Sequence, residues 1–183
     1  MKNILRYLLL ALVLVGFTVP VFGKAEAAKI AILPLANNVQ DDELSGQVFF
    51  NECMDYFKFP EFDMVDDAEL DKALKEENYA AIGKNGPDEA MLKRIMAKTG
   101  ADMALMMSLD ELSLEPVPFS REDYYQLNQK SRIMFVNGIT GKTTTHRVND
   151  EEQVEYPIIV RSDYAHDQFR NTVIRELKKV AKF

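Results

Sequence analysis

Cysteine is almost absent from this chain. Cys53 stands alone, so no internal disulfide can form in any compartment and the fold must be held by its apolar core. A single thiol also removes the cysteine-rich zinc sets. The two histidines, His146 and His166, are twenty positions apart and form no helical metal pair. No Gly-x-Ser-x-Gly turn occurs, which removes the nucleophile elbow of a serine hydrolase. There is no internal repeat and no low-complexity tract. The apolar run Tyr7 to Val19 stops at Pro20, short of the ~20 residues that a membrane-spanning helix needs.

What the amino terminus does contain comes in a telling order: Lys2 and Arg6, the apolar run, then small residues ending in Ala25 and Ala27. Positive, apolar, small is the order of a secretory signal. Cleavage is expected after Ala27, with Val21-Phe22-Gly23 a weaker site. Residues 1–27 are thus predicted to be a signal peptide and residues 28–183 a single exported domain, secreted or periplasmic. A lipoprotein carries its lipid on an amino-terminal cysteine, and none stands there, so neither a lipid nor a stable membrane anchor is expected after cleavage. Cleavage removes Lys2, Arg6 and Lys24 with one acid, Glu26, and shifts the formal charge from -7 to -9. A surface of that sign repels phosphate backbones and anionic lipid, which argues against nucleic-acid partners and polybasic membrane docking.

Lys29 to Leu35 (KIAILPL) suits a buried, central first strand that Pro34 ends. Behind Asp41 and Asp42, Leu44, Val48, Phe49, Cys53, Met54 and Phe57 recur at helical spacing as far as Pro60. Phe62, Met64 and Val65 predict a short strand, Asp66 and Glu69 a capping pair, and Leu70, Ala73 and Leu74 the apolar side of a second helix. In Asn85-Gly86-Pro87 a turn is predicted, with Pro87 opening a third helix that runs through Leu92, Ile95, Met96 and Thr99 to Gly100. Met103, Leu105, Met107 and Leu109 alternate as a strand, but Leu112 and Leu114 have the opposite parity. A β-bulge near Asp110 or Glu111 reconciles the two. Glu115-Pro116-Val117-Pro118 predicts an extended connection in a loop Leu114 to Tyr125, before a long strand Tyr125 to Val136 with Ile133 and Phe135 on one face. Asn137-Gly138 and Thr140-Gly141 mark a hairpin turn, Lys142 to Val148 a polar edge strand, Asn149 to Glu152 an acidic turn, and Val154 to Val160 a strand interrupted by Pro157. Ser162 is expected to cap a last helix with the stripe Phe169, Val173, Ile174, Leu177, Val180 and Ala181. The order predicts one α/β or α+β domain, a mixed sheet of about five strands packed by about four helices.

Tested for chemistry, the chain offers little. Gly138 to Thr145 (GITGKTTT) invites comparison with a phosphate-binding loop, but the first glycine would have to stand at Val136 and the segment lies between strands. Asp163, His166 and Asp167 can share a helix face, yet a solvated first turn explains them. Asp63, Asp66, Asp67 and Glu69 lack the spacing and glycine of a calcium loop. Cys53, on the apolar face of its helix, reads as a small core residue, and the methionines as gap fillers. No catalytic, cofactor or metal residue is assigned.

Three segments carry a family resemblance: Lys29 to Asn37 (KIAILPLAN), Thr99 to Leu105 (TGADMAL) and Val136 to Lys142 (VNGITGK), ahead of a terminal amphipathic helix. The chain resembles bacterial envelope domains of the group that holds the TolB amino-terminal domain, CsgG and the outer-membrane activators of penicillin-binding proteins. The resemblance implies a sheet with helices and contacts among envelope proteins without catalysis; no active site comes with it. The expected role is a non-enzymatic module binding another envelope or extracellular protein, with Lys142 to Val148 and Leu114 to Tyr125 as contact surfaces. The alternatives are a small-ligand or divalent-cation binder using Asp63 to Glu69 or Asp163 to Asp167, and a hydrolase whose site is assembled only in space.

Overall fold

A computed structural model describes residues 27–79, 86–119, 124–155 and 164–181. In chain order its elements are β1 (Ala28–Ile32), β2 (Ala36–Asn37), α1 (Leu44–Tyr56), β3 (Phe62–Met64), α2 (Asp67–Glu76), α3 (Glu89–Thr99), β4 (Met103–Pro116), β5 (Tyr124–Asn137), β6 (Lys142–Glu155) and α4 (Tyr164–Val180). The sheet runs β3-β1-β4-β5-β6, with β2 beside β4. β1 is parallel to β3 and β4, whereas β4, β5 and β6 form an antiparallel meander. The result is the expected mixed-sheet α+β domain. One placement differs: β4 takes the centre of the sheet, and β1, ending at Ile32, lies between it and the short edge strand β3.

Side-chain alternation sorts the core into two layers. Ile30, Ile32, Met103, Leu105, Met107, Leu109, Ile133 and Phe135 meet Val48, Phe49, Cys53 and Phe57 of the α1 segment and Phe169, Val173 and Leu177 of α4. Ala31, Leu33, Ala104, Met106, Met134 and Val136 meet Ala73 and Leu74 of α2 and Leu92, Ile95 and Met96 of α3. Burial on both faces is why β1 and the first half of β4 read as unbroken apolar runs.

Local signals set the boundaries. Asp66 caps α2, accepting from the amides of Ala68 and Glu69, while the Glu69 carboxylate turns to Lys29 Nζ at 3.1 Å instead of reciprocating. Asp88 caps α3 through the Met91 amide, so Pro87 precedes the cap and is not the first helical residue. Gly100 closes α3 at φ 64, a left-handed conformation that glycine adopts without strain. The bulge falls where the parity change requires it: Leu109 faces Ser131, Glu111 faces Lys130, and Asp110 is the extra residue.

Two stretches are more strand-like than their composition suggests. Asn149 to Glu152, expected as a turn, continues β6 to Glu155; Val154 and Glu155 end that strand, and Pro157 and Ser162 lie outside the described residues. Leu114 to Pro116 and Tyr124 to Tyr125, expected as loop, belong to β4 and β5, which pair through Pro116 and Tyr125. The second half of β6 is mostly polar, so a sequence reading keyed to apolar alternation misses it.

The three segments that carry the family resemblance meet at one residue. Asp102 accepts the Lys29 amide on its carboxylate at 2.9 Å and gives its own amide to the Lys29 carbonyl at 2.7 Å. Its carbonyl accepts the Gly138 amide at 2.8 Å. A β-carbon on Gly138 would lie 2.7 Å from that carbonyl oxygen, so the position requires glycine for close backbone approach.

Candidate functional site

β4, β5 and β6 have 14 residues each, against five in β1 and three in β3. At ~3.3 Å per residue each long strand spans about 45 Å, and the helices cover only part of it. β6 pairs with β5 alone, so its outer edge has no strand partner among the described residues. The backbone amides and carbonyls along such an edge are open to a further strand. The expected edge Lys142 to Val148 is therefore half of a longer one, Lys142 to Glu155. Of the other expected contact surface, Phe119 in the 117–119 turn is fully exposed, and residues 120–123 lie outside the described residues.

The two faces of the meander differ. On the side of α2 and α3 the apolar rows end at Met106 and Met134. Beyond them Ser108, Asp110, Lys130, Arg132, Arg147 and Asn149 line an open depression of about 520 Å³. On the other side α4 covers a polar layer of Gln129, Ser131, Thr172 and Glu176, all buried. The Glu176 carboxylate, 2% exposed, accepts from Lys179 Nζ at 2.7 Å and Arg175 Nε at 3.1 Å and meets His146 Nδ1 at 3.1 Å. Burial alone would push this carboxyl up; the three basic partners outweigh it and hold the group below the ordinary glutamate range. Arg175 also reaches Asp150 at 2.7 Å, which ties α4 to the second half of β6.

The acidic groups proposed for a cation are dispersed. Asp66 is spent on its cap, Glu69 on Lys29, and Asp167 lies 3.5 Å from Arg170. His166 points to Asp42 and not to Asp167, and Asp163 lies outside the described residues. No three His, Cys, Asp or Glu side chains among the described residues gather closely enough to hold a metal ion. Cys53 is wholly buried, and burial pushes its thiol well above the usual range, with Glu52 adding to the shift. Such a thiol is a poor nucleophile. Gly138 to Gly141 form the turn between β5 and β6, as expected for a hairpin and not for a phosphate loop.

One grouping is invisible in the sequence because its members are 124 positions apart: Asp42 accepts His166 Nε2 at 3.0 Å and the Ser45 amide at 3.1 Å. Burial raises the Asp42 carboxyl, but Ser45, His166 and Asn37 outweigh it and the group lies below its ordinary value. Serine, histidine and aspartate in one place suggest a nucleophilic triad. Ser45 is wholly buried, however, so no substrate reaches its hydroxyl, and the trio acts as a joint between α4 and the start of α1.

Among the described residues no helix is long and apolar enough to cross a membrane. No family model matches the sequence, and no curated protein matches it. Solved structures do match. The hypothetical protein CT253 from Chlamydia trachomatis is 7% identical with a TM-score of 0.53, over 84% of this chain and 97% of that one. The lipoprotein GNA1162 from Neisseria meningitidis is 11% identical with a TM-score of 0.47, over 83% of this chain and 99% of that one. The LpoB C-terminal domain from Salmonella enterica is 11% identical with a TM-score of 0.37, over 73% and 87%. The likeness to CT253 shows a shared fold and nothing further. None of these likenesses tests the expectation that this chain carries no lipid.

Proposed function

We propose that this chain is an exported, non-enzymatic envelope domain that binds another envelope or extracellular protein by accepting one of its strands along the outer edge of β6. The observation that carries this reading is the long outer edge of β6, 14 residues with no strand partner among the described residues. Main-chain hydrogen bonds along such an edge supply affinity, and the side chains flanking it supply selectivity. Further support comes from the signal-like amino terminus and the family resemblance. The dispersal of the acidic groups removes the specific observation that a cation-binding reading would need.

Two proline variants test the proposal, Thr144→Pro and Thr145→Pro. Successive residues of an antiparallel strand direct their amides alternately inward and outward, so one of the two prolines blocks only the outer edge and leaves the β5 ladder intact. The variant that keeps the wild-type melting temperature is the edge-blocked one. Cross-linking in the native envelope is expected to capture a partner with the wild type and to lose it with the edge-blocked variant. Equal capture by both, or none by the wild type, would refute the reading.

A further inference from the structure

We propose that two copies of this chain pair through their β6 strands, antiparallel about a two-fold axis at Asn149, so that a second copy covers the edge until a partner's strand displaces it. The inference rests on the reading above that the edge accepts strands, and it names the strand that regulates access. Its ground is the order of charges along β6. The first half carries Lys142, His146 and Arg147, and the second carries Asp150, Glu151, Glu152 and Glu155. Side by side in parallel, two such strands set like halves against each other; antiparallel, each basic half meets an acidic one. That is a self-complementary, two-fold arrangement. Neither a proline nor a bulge, two devices that keep exposed edges apart, interrupts Lys142–Glu155.

The register follows from the pleat. Residues opposite each other in an antiparallel pair lie on the same face, and side chains alternate between faces along the strand. Two identical strands therefore pair only about a residue that meets its own copy. Centring on Arg147 or Asp150 puts like charges in direct opposition, and centring on Val148 sets Arg147 against Asn149. Centring on Asn149 sets Arg147 against Glu151 and His146 against Glu152, each twice by symmetry, with no two charges of one sign directly opposed. The side chains concerned are placed for it. Arg147 is exposed and forms no ion pair among the described residues, and its neighbour across the ladder within the chain is Arg132. Glu151 is also exposed; the cation near it, Lys130, is bound to Glu111 at 2.6 Å. An arginine that its own chain sets beside another arginine thus meets a carboxylate on the second copy.

Analytical ultracentrifugation of the purified protein at low salt tests the pairing, and the wild type is expected to sediment at twice the mass of one chain. Arg147→Glu and Glu151→Arg each oppose like charges and are expected to weaken the dimer at least about tenfold, while R147E combined with E151R restores it. Both positions are exposed, so circular dichroism is expected to show all three variants folded. Asn149→Cys is expected to be joined into a dimer by a short bismaleimide. Thr145→Cys, whose two copies stand ~26 Å apart in this register, is not; the native Cys53 is buried and does not compete. A wild-type monomer at every concentration up to about 100 µM, a dimer that survives both single reversals, or equal cross-linking of the Thr145→Cys variant would overturn the inference. A monomer that still captures an envelope partner, and loses it in the edge-blocked proline variant, overturns this inference alone. A dimer in this register with no captured partner supports the pairing and overturns only the earlier reading.

Discussion

Deleting Asp110 is expected to leave this fold standing, whereas deleting Ser108, two positions earlier in the same strand, is expected to collapse it. Asp110 is the surplus residue of the bulge. Without it Leu109 still faces Ser131, Glu111 still faces Lys130 and Leu112 still faces Gln129, so each side chain keeps its face and the ladder becomes regular. The loss is then the Asn38–Asp110 hydrogen bond at 2.8 Å on the surface, about 0.5–1.5 kcal/mol. Deleting Ser108 shifts the strand by one position, carrying Leu109 out of the core and Asp110 into its place. Leu109 is wholly buried, so its removal costs about 2–5 kcal/mol, and the buried carboxylate adds several more. At ~2–4 °C per kcal/mol for a domain of this size, the first deletion lowers the melting temperature by about 1–6 °C and the second by more than about 10 °C. Thermal and urea unfolding followed by circular dichroism measure both. Equal destabilisation would refute the argument, because it would mean that the bulge itself, and not the facing of the side chains, holds the meander.

Three further outcomes are expected. The Glu176 carboxyl lies below its ordinary value in the folded state, so its contribution is present above the unfolded value near 4.5 and is lost as pH falls through the lower folded value; Glu176→Gln is expected to cost about 1–2 kcal/mol at neutral pH and to show a shallower loss of stability on acidification, the half-exposed Arg175 and Lys179 rehydrating to limit the cost. Gly138→Ala places its methyl 2.7 Å from the Asp102 carbonyl oxygen and 2.9 Å from Met96 Cε, and is expected to cost about 1–3 kcal/mol by urea unfolding, more than Gly141→Ala, where space is open and only the positive φ is strained. Cys53, buried with its thiol pushed up, is expected to resist maleimide in the native protein and to label only as fast as the domain opens, which mass spectrometry can follow; rapid native labelling would contradict its burial.

The sequence made legible whatever depends on local spacing. The parity change from Leu109 to Leu112 located the bulge, Asp66 and Gly100 marked helix ends, and Asn137 to Gly141 marked the hairpin. It was silent wherever the physics joins distant residues. Asn149 to Glu152 carry no apolar alternation, so they resemble a turn until β5 pairs with them. Asp42 and His166, like Arg132 and Arg147, become neighbours only through the fold. A pairing of two arginines across neighbouring strands has no linear signature.

Asp102 binds Lys29 and Gly138 through short backbone and carboxylate contacts. The three segments that carry the resemblance thus have an architectural use. They record how a parallel strand, the end of a helix and a hairpin are joined at one corner, and a protein inheriting all three inherits a chassis. On the reading proposed above, recognition would be the task of the outer edge of β6, so the corner at Asp102 could stay the same while that edge changed.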